Sequence, residues 1–246
     1  MNYYAISNIG KIRPKNEDSY FISNDMLKPV FIIADGMGGH KSGEVASKMA
    51  VDIVNKNLQR VDFYQDIKEL EDDVVKAISI ANREIYLKSK EDPDYNGMGT
   101  TFTMAYVYND TILISHVGDS RCYTLNPSAI VQITEDDTLV NSLIKLGEIT
   151  PEEAKTHPKR NVVTNAVGTN ESLDISLIRY KYQHDDSLLI CTDGLTNLVT
   201  DEELFETYKK HNNLEKLGKE LVEMALEKGG NDNITLIIVE LEGGVF

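Results

Sequence analysis

The sequence predicts an α+β fold in which antiparallel sheets are covered by amphipathic helices, and three observations lead there. Short apolar runs rich in Ile, Leu and Val, such as Val30–Ala34, Ile114–Val117 and Leu188–Cys191, are bounded by glycine or turn residues and read as buried strands. Phe102–Tyr108 and Thr111–Val117 are separated only by Asn109-Asp110, a hairpin signal that demands antiparallel pairing. Elsewhere apolar residues recur at helical spacing, so strands and helices come in blocks.

In chain order, Ser42 caps a helix with Val45, Ala46, Met49, Ala50, Ile53 and Val54 on its apolar face. Asp66 with Glu69 opens a second in capping-box style, and Ile67, Leu70, Val74, Ile78, Ala81 and Ile85 share one side of it. The hairpin follows, then a strand from Arg121 to Leu125. Asp136 to Asn165 departs from this scheme. It carries Leu139, Val140, Leu143, Ile144 and Leu146, then Gly147, then Thr150-Pro151-Glu152-Glu153 as a helix start, and so reads as a small helical excursion. A helix bearing Leu214, Leu217, Leu221 and Ala225 precedes the last strand, Ile234 to Glu240. No repeat or low-complexity tract interrupts the 246 residues, 41% of which are hydrophobic, and one domain with a substantial core is expected.

Charge narrows the partners. The 25 basic and 40 acidic residues leave −15, which opposes binding to nucleic acid or an anionic membrane. No run approaches the roughly 20 apolar residues that span a bilayer, and the start, Met1-Asn2-Tyr3-Tyr4-Ala5-Ile6, has no basic segment leading into an apolar stretch. Only two cysteines occur, Cys122 and Cys191, far apart and outside any Cys-x-x-Cys pairing, so a reducing, cytoplasmic setting is expected.

Four aspartates carry the chemistry. Asp35, Asp119 and Asp193 end apolar runs, and Asp232 precedes one. Any one of these Asp-Gly or Asp-Asn pairs reads as an ordinary turn dipeptide, but four in such positions point to a shared task. Carboxylates gathered at strand ends repel one another unless cations lie between them. With no zinc-like arrangement of Cys or His, an all-oxygen site for Mg²⁺ or Mn²⁺ fits, and glycine beside Asp35 lets the Gly36 carbonyl serve as a further ligand. Arg13 lies a few residues before Glu17 and Asp18, and arginine grips phosphate bidentately. Taken alone that segment is a surface ion-pair cluster; with the aspartates it suggests phosphoryl chemistry. Lys159-Arg160, in the excursion, reads on its own as a solvated surface pair, with contact to an anionic substrate as the alternative.

These pieces resemble the metal-dependent protein serine/threonine phosphatases called PP2C or PPM. The matching segments are Arg13-Pro14-Lys15-Asn16-Glu17-Asp18-Ser19, Ala34-Asp35-Gly36-Met37-Gly38-Gly39-His40, Gly99-Thr100-Thr101, Val117-Gly118-Asp119-Ser120-Arg121, Arg160-Asn161-Val162, Cys191-Thr192-Asp193-Gly194-Leu195 and Gly229-Gly230-Asn231-Asp232-Asn233-Ile234-Thr235. They follow the family's order over nearly the whole chain, and the compact length resembles its bacterial branch. The resemblance implies a central antiparallel β-sandwich flanked by helices on both sides, with a small helical flap at about 136–165, all within one catalytic domain over 1–246. It implies that Asp35 bridges two Mn²⁺ or Mg²⁺ ions, that the Gly36 carbonyl, Asp193 and Asp232 complete their ligands, and that Asp119 with Asp193 forms a weaker third site. Glu17 and Asp18 act through metal-bound waters, while Arg13 holds the phosphate with Arg160 nearby. A water or hydroxide between the two ions attacks phosphorus in line, and no phosphoenzyme forms. The implied substrates are phosphorylated proteins, the implied counterpart is a bacterial serine/threonine kinase, and the implied state is a monomer.

Two departures stand out. Met37 occupies the place of a histidine that in animal members is proposed to protonate the leaving group, so a metal-bound water or His40 must substitute. Asp136-Asp137-Thr138 replaces the commoner Asp-His-Ser. Rival readings find less support. A haloacid-dehalogenase-type enzyme needs an aspartate two residues before an Asp-Gly, where this chain has Ile33 and Cys191. A cysteine phosphatase needs Cys followed by five residues and Arg, but Ser128 and Asn197 stand there. A metal-dependent nuclease conflicts with the charge. A catalytically weak phosphoprotein-binding module of the same fold would have lost a metal carboxylate, and none is lost.

Overall fold

The computed structural model describes residues 1–23, 25, 28–39, 42–61 and 63–241. In chain order it runs β1 (Asn2–Asn8), β2 (Asp18–Ile22), β3 (Val30–Met37), α1 (Ser42–Leu58), α2 (Ile67–Glu91), β4 (Gly99–Thr100), β5 (Phe102–Tyr108), β6 (Thr111–Val117), β7 (Arg121–Asn126), β8 (Ala129–Gln132), α3 (Leu139–Lys145), α4 (Pro151–Thr156), β9 (Ser176–Lys181), β10 (Ser187–Cys191), α5 (Asp193–Thr196), α6 (Asp201–Lys210), α7 (Leu214–Glu227) and β11 (Ile234–Glu240).

Two antiparallel sheets result, one in the order β1-β11-β10-β7-β8 and the other β2-β3-β5-β6-β9, with β4 added to the end of β3. Their central strands carry apolar residues on both faces because both faces are covered. In β3, Phe31 and Ile33 join Ile114, Ile190 and Ile237 between the sheets, while Ile32 and Ala34 turn outward onto residues of α1 and α2 such as Ala50 and Ile78. In β10, Leu188 and Ile190 face the sandwich interior, while Leu189 and Cys191 pack with Leu204, Leu217 and Leu221 of α6 and α7. The layering is helix, sheet, sheet, helix, as the family resemblance implied. An antiparallel sheet open to water on one side would have alternated apolar and polar residues instead.

Local signals hold with adjustments. Asp66 caps α2 by accepting from the Glu69 N–H at 2.9 Å, but the Glu69 carboxylate reaches back to the Gln65 N–H at 2.8 Å, one residue before a capping box would place it. Ser42 lies inside α1 and donates its hydroxyl to the Gly39 carbonyl at 2.6 Å. Thr150 and Glu153 form the full reciprocal box at the start of α4. Asp35 is within a strand and not past its end, because Gly36 and Met37 pair on with Thr100 and Gly99. Strands β1, β2, β8 and β9, which no apolar run announced, are the four sheet edges. Among the described residues no helix is long and apolar enough to cross a membrane.

Candidate active site

The site forms where one end of each sheet meets the other. Pairing of β2 with β3 sets Asp18 directly opposite Asp35. Asp193 opens α5 immediately after β10, and Asp232 lies two residues before β11, its neighbour in the other sheet. Asp119 sits in the turn from β6 to β7. Hydroxyls tie that turn to β3: Thr101 Oγ1 accepts from the Asp35 N–H at 2.9 Å and lies 2.8 Å from Ser120 Oγ, and Thr100 Oγ1 donates to the Asp35 carbonyl at 2.8 Å. Gly36 is a tight point, since a Cβ there would stand 2.1 Å from the Gly43 carbonyl oxygen and 2.6 Å from that of Glu17. Only glycine lets the start of α1 close over β3 beside Asp35.

The carboxylates crowd one another. Withdrawal from water pushes Asp35 well above the ordinary carboxylate range, and Asp18, Asp193, Asp119 and Asp232 add to the push. The same desolvation carries Asp119 up to about 8, reinforced by Asp193, and Asp18 up to about 7 against the opposing pull of the Thr235 and Thr192 hydroxyls. Asp193 rises through desolvation and then through Asp232; Glu17 rises chiefly through desolvation. Such a basin calls for positive charge.

Two oxygens show where it would go. Asp18 Oδ2 accepts from Thr235 Oγ1 at 2.6 Å and from Thr192 Oγ1 at 3.1 Å, and Asp193 Oδ2 accepts from Asn197 Nδ2 at 2.9 Å. Their other oxygens, Asp18 Oδ1 and Asp193 Oδ1, are buried with no hydrogen-bond partner among the described residues. A buried carboxylate oxygen without a donor is costly, and a hard cation or its hydrating water satisfies it. Among the described residues no three His, Cys, Asp or Glu side chains close into a ready-made cage. The donor set is oxygen throughout and fits Mg²⁺ or Mn²⁺.

Of the two arginines singled out in the sequence, Arg13 is bonded to the rim of this basin and Arg160 stands beside it, and both side chains are exposed. Arg13 Nη2 donates to Asp232 Oδ2 at 2.7 Å, through one of five guanidinium N–H groups, and that bond raises the guanidinium pKa. The structure thus pairs two residues to which the sequence assigned separate tasks. Arg160 is exposed and shares with Asp119, Asp193 and Asn197 a groove of about 770 Å³ between the flap and α5. The excursion of 136–165 is therefore beside the site, with α3 and α4 as its helices.

The unusual Asp136-Asp137-Thr138 is explained by what it holds. Asp136 receives Arg121 bidentately, Nε to Oδ1 at 3.0 Å and Nη2 to Oδ2 at 2.7 Å. Asp137 Oδ2 accepts from the Gly118 N–H at 3.0 Å and from Asn165 Nδ2 at 2.8 Å, joining both roots of the flap to the Asp119 turn. Thr138 caps α3. Met37 is half-buried in the β3–β4 pairing; His40 lies outside the described residues. Thr101, Thr192, Thr235, Asn197 and Asn233 support the acidic groups, and sequence reading passed over them as motif neighbours. No spacing signals that Thr235 will bond an aspartate 217 residues away.

Residues 13–233 match the Protein phosphatase 2C family, and the chain belongs to it. It is thus a metal-dependent-type serine/threonine protein phosphatase, a hydrolase acting on phosphoproteins. The serine/threonine phosphatase stp of Listeria monocytogenes is 38% identical over 232 residues, covering 94% of this chain and 92% of that protein. The crystal structure of serine/threonine phosphatase Stp1 from Staphylococcus aureus superposes with a TM-score of 0.93 at 36% identity, covering 98% of this chain and 95% of that one. The catalytic domain of serine threonine protein phosphatase PstP, solved in complex with two manganese ions, gives a TM-score of 0.84 at 31% identity, with 98% of each chain covered.

Proposed function

We propose that this chain hydrolyses phosphoserine and phosphothreonine in proteins using two Mn²⁺ or Mg²⁺ ions held by Asp35, the Gly36 carbonyl, Asp193 and Asp232, with a weaker third ion at Asp119 and Asp193. The observation that carries the reading is the pair of donorless buried oxygens, Asp18 Oδ1 and Asp193 Oδ1, in a basin of carboxylates driven above their ordinary pKa. When bound, such ions lower the pKa of water for in-line attack on phosphorus and offset charge on the phosphoryl oxygens.

The chain's own groups do the rest. Asp35, fixed by Thr100 and Thr101 and facing Asp18 across the β2–β3 ladder, presents its carboxylate from a rigid strand. Glu17 and Asp18 accept hydrogen bonds from hydrating water. Arg13 supplies bidentate N–H donors to the phosphoryl oxygens, and Arg160 meets the polypeptide from the flap side. Met37 has no proton to give, so the leaving alkoxide takes its proton from water. The chain acts as one catalytic domain and a monomer, in a reducing cytoplasm where buried Cys122 and Cys191 remain thiols, and reverses a cognate serine/threonine kinase.

The test is hydrolysis of para-nitrophenyl phosphate and of phosphothreonine and phosphotyrosine peptides with and without Mn²⁺. Turnover of the phosphothreonine peptide that stops in chelator and returns with Mn²⁺ or Mg²⁺ is expected. Undiminished activity in excess chelator would refute the reading.

A further inference from the structure

Arg13 sits on a loop that a single buried side chain holds closed. Asn233 is 3% exposed, and its amide uses three of its bonding positions on one short segment. Nδ2 donates to the Ile9 carbonyl at 2.9 Å and to the Lys15 carbonyl at 2.8 Å, and Oδ1 accepts from the Glu17 N–H at 2.8 Å. This assignment of oxygen and nitrogen is forced, because the reverse would aim N–H at N–H and oxygen at two carbonyls. Both ends of the loop that carries Arg13 thus meet at one nitrogen.

The loop lies against the stretch that supplies Asp232. Lys11 N donates to the Gly230 carbonyl at 2.8 Å, and Gly10 N to Asn8 Oδ1 at 2.8 Å. Gly10 has φ +78° and no room for a side chain, since a Cβ would fall 2.2 Å from the Asp232 carbonyl oxygen. Asp232 does not depend on the Asn233 amide in the same way: its Oδ1 accepts from the Asn233 backbone N–H at 2.8 Å, a bond that most substitutions keep.

We infer that Asn233 is a positioning residue for phosphate binding: it fixes the Ile9–Glu17 loop so that the Arg13 guanidinium is pre-aimed at the phosphoryl group, and it does so independently of the neighbouring metal carboxylate. A loosened loop would still carry Arg13 but would have to be ordered anew with each substrate, which weakens binding without changing the groups that perform the reaction. The inference rests on the proposed function for its kinetic arm only.

The experiment compares Asn233→Ala and the near-isosteric Asn233→Asp, which keeps the acceptor and loses both donors, with Arg13→Ala and the corresponding double variants. Expected is a rise in KM for a phosphothreonine peptide of about 10-fold with kcat within about threefold, and a Mn²⁺ half-saturation within about twofold. In the double variants Asn233→Ala should add little to the KM of Arg13→Ala, since the loop acts through that side chain. Additive effects of Arg13→Ala and Asn233→Ala, or a large shift in the Mn²⁺ requirement, would overturn the inference. Hydrogen exchange needs no turnover: in Asn233→Ala the amides of Lys11 and Glu17 should lose protection while β10 and β11 keep theirs, and unchanged protection of the loop refutes the clamp. Should the Asn233 variants fail to fold, Asn8→Ala, which frees the loop at Gly10, should give the same KM signature at smaller size; no change in KM there would count against the inference. An inactive parent protein whose exchange pattern is as expected would sink the phosphatase reading and leave the clamp standing.

Discussion

The two loops that bring an arginine to this end of the sandwich are held in opposite ways. The Arg13 loop is closed by Asn233, fastened to Gly230 through Lys11, and ends in a guanidinium bonded to Asp232. The Arg160 loop follows α4, is organised by turn bonds such as Arg160 N to the His157 carbonyl at 3.1 Å, and leaves Arg160 exposed on the wall of a groove. A group that must stabilise the same phosphoryl charge in every turnover gains from being fixed beforehand, whereas one that meets varied polypeptides gains from freedom. On the proposed function, the contrast supports Arg13 as the group that holds the phosphoryl oxygens and Arg160 as a contact to the substrate polypeptide.

The most severe challenge to that assignment bypasses both arginines. Asp193→Asn should lower kcat by on the order of 10²–10³-fold for every substrate, because electrostatic stabilisation of the transition state is lost. Its melting temperature in chelator should stay level or rise, since one of the mutually repelling carboxylates is neutralised. A fall in stability matching the fall in activity would make Asp193 structural. Next in size is Arg13→Ala: a charge-assisted pair contributes about 1.5–3 kcal/mol, so kcat/KM should drop roughly 10- to 150-fold on para-nitrophenyl phosphate and on peptide alike, with the Mn²⁺ titration unmoved. Weaker metal binding in that variant would show that the Asp232 contact is what matters. Arg160→Ala should raise KM only about two- to fivefold, on peptides alone, as an exposed charge does. If para-nitrophenyl phosphate suffers equally, the contrast between the loops collapses.

The smallest effect is a pH dependence of stability. Asp18 and Asp119 have folded-state pKa values raised to about 7 and about 8, far above those of an unfolded chain. The folded protein therefore holds protons that the unfolded one has released, and stability is greatest below these values and is lost as pH rises through them. In chelator the melting temperature should decline from pH 5.5 to 8.5, and saturating Mn²⁺ should flatten the curve by replacing the protons. A metal-free protein that grew more stable with pH would show that the carboxylates are not crowded as described.

The chain alone determined its central strands and its acidic residues. Strands β3, β5, β6, β10 and β11 are covered on both faces, and that demand writes mostly apolar runs that sequence reading finds. The aspartates beside them are local features of the same runs, as are the capping signals at Asp66 and Thr150. Tertiary structure alone decided the rest. The edge strands β1, β2, β8 and β9 are partly open to solvent and carry no run to announce them, yet β2 is what sets Asp18 across from Asp35. Thr235 reaching Asp18, Asn233 closing the Arg13 loop and Asp137 fastening the flap are bonds between polar atoms far apart in the chain. Such contacts have no period and no composition, because hydrogen bonding depends on where atoms arrive after the core has packed and not on how the residues are spaced along the chain.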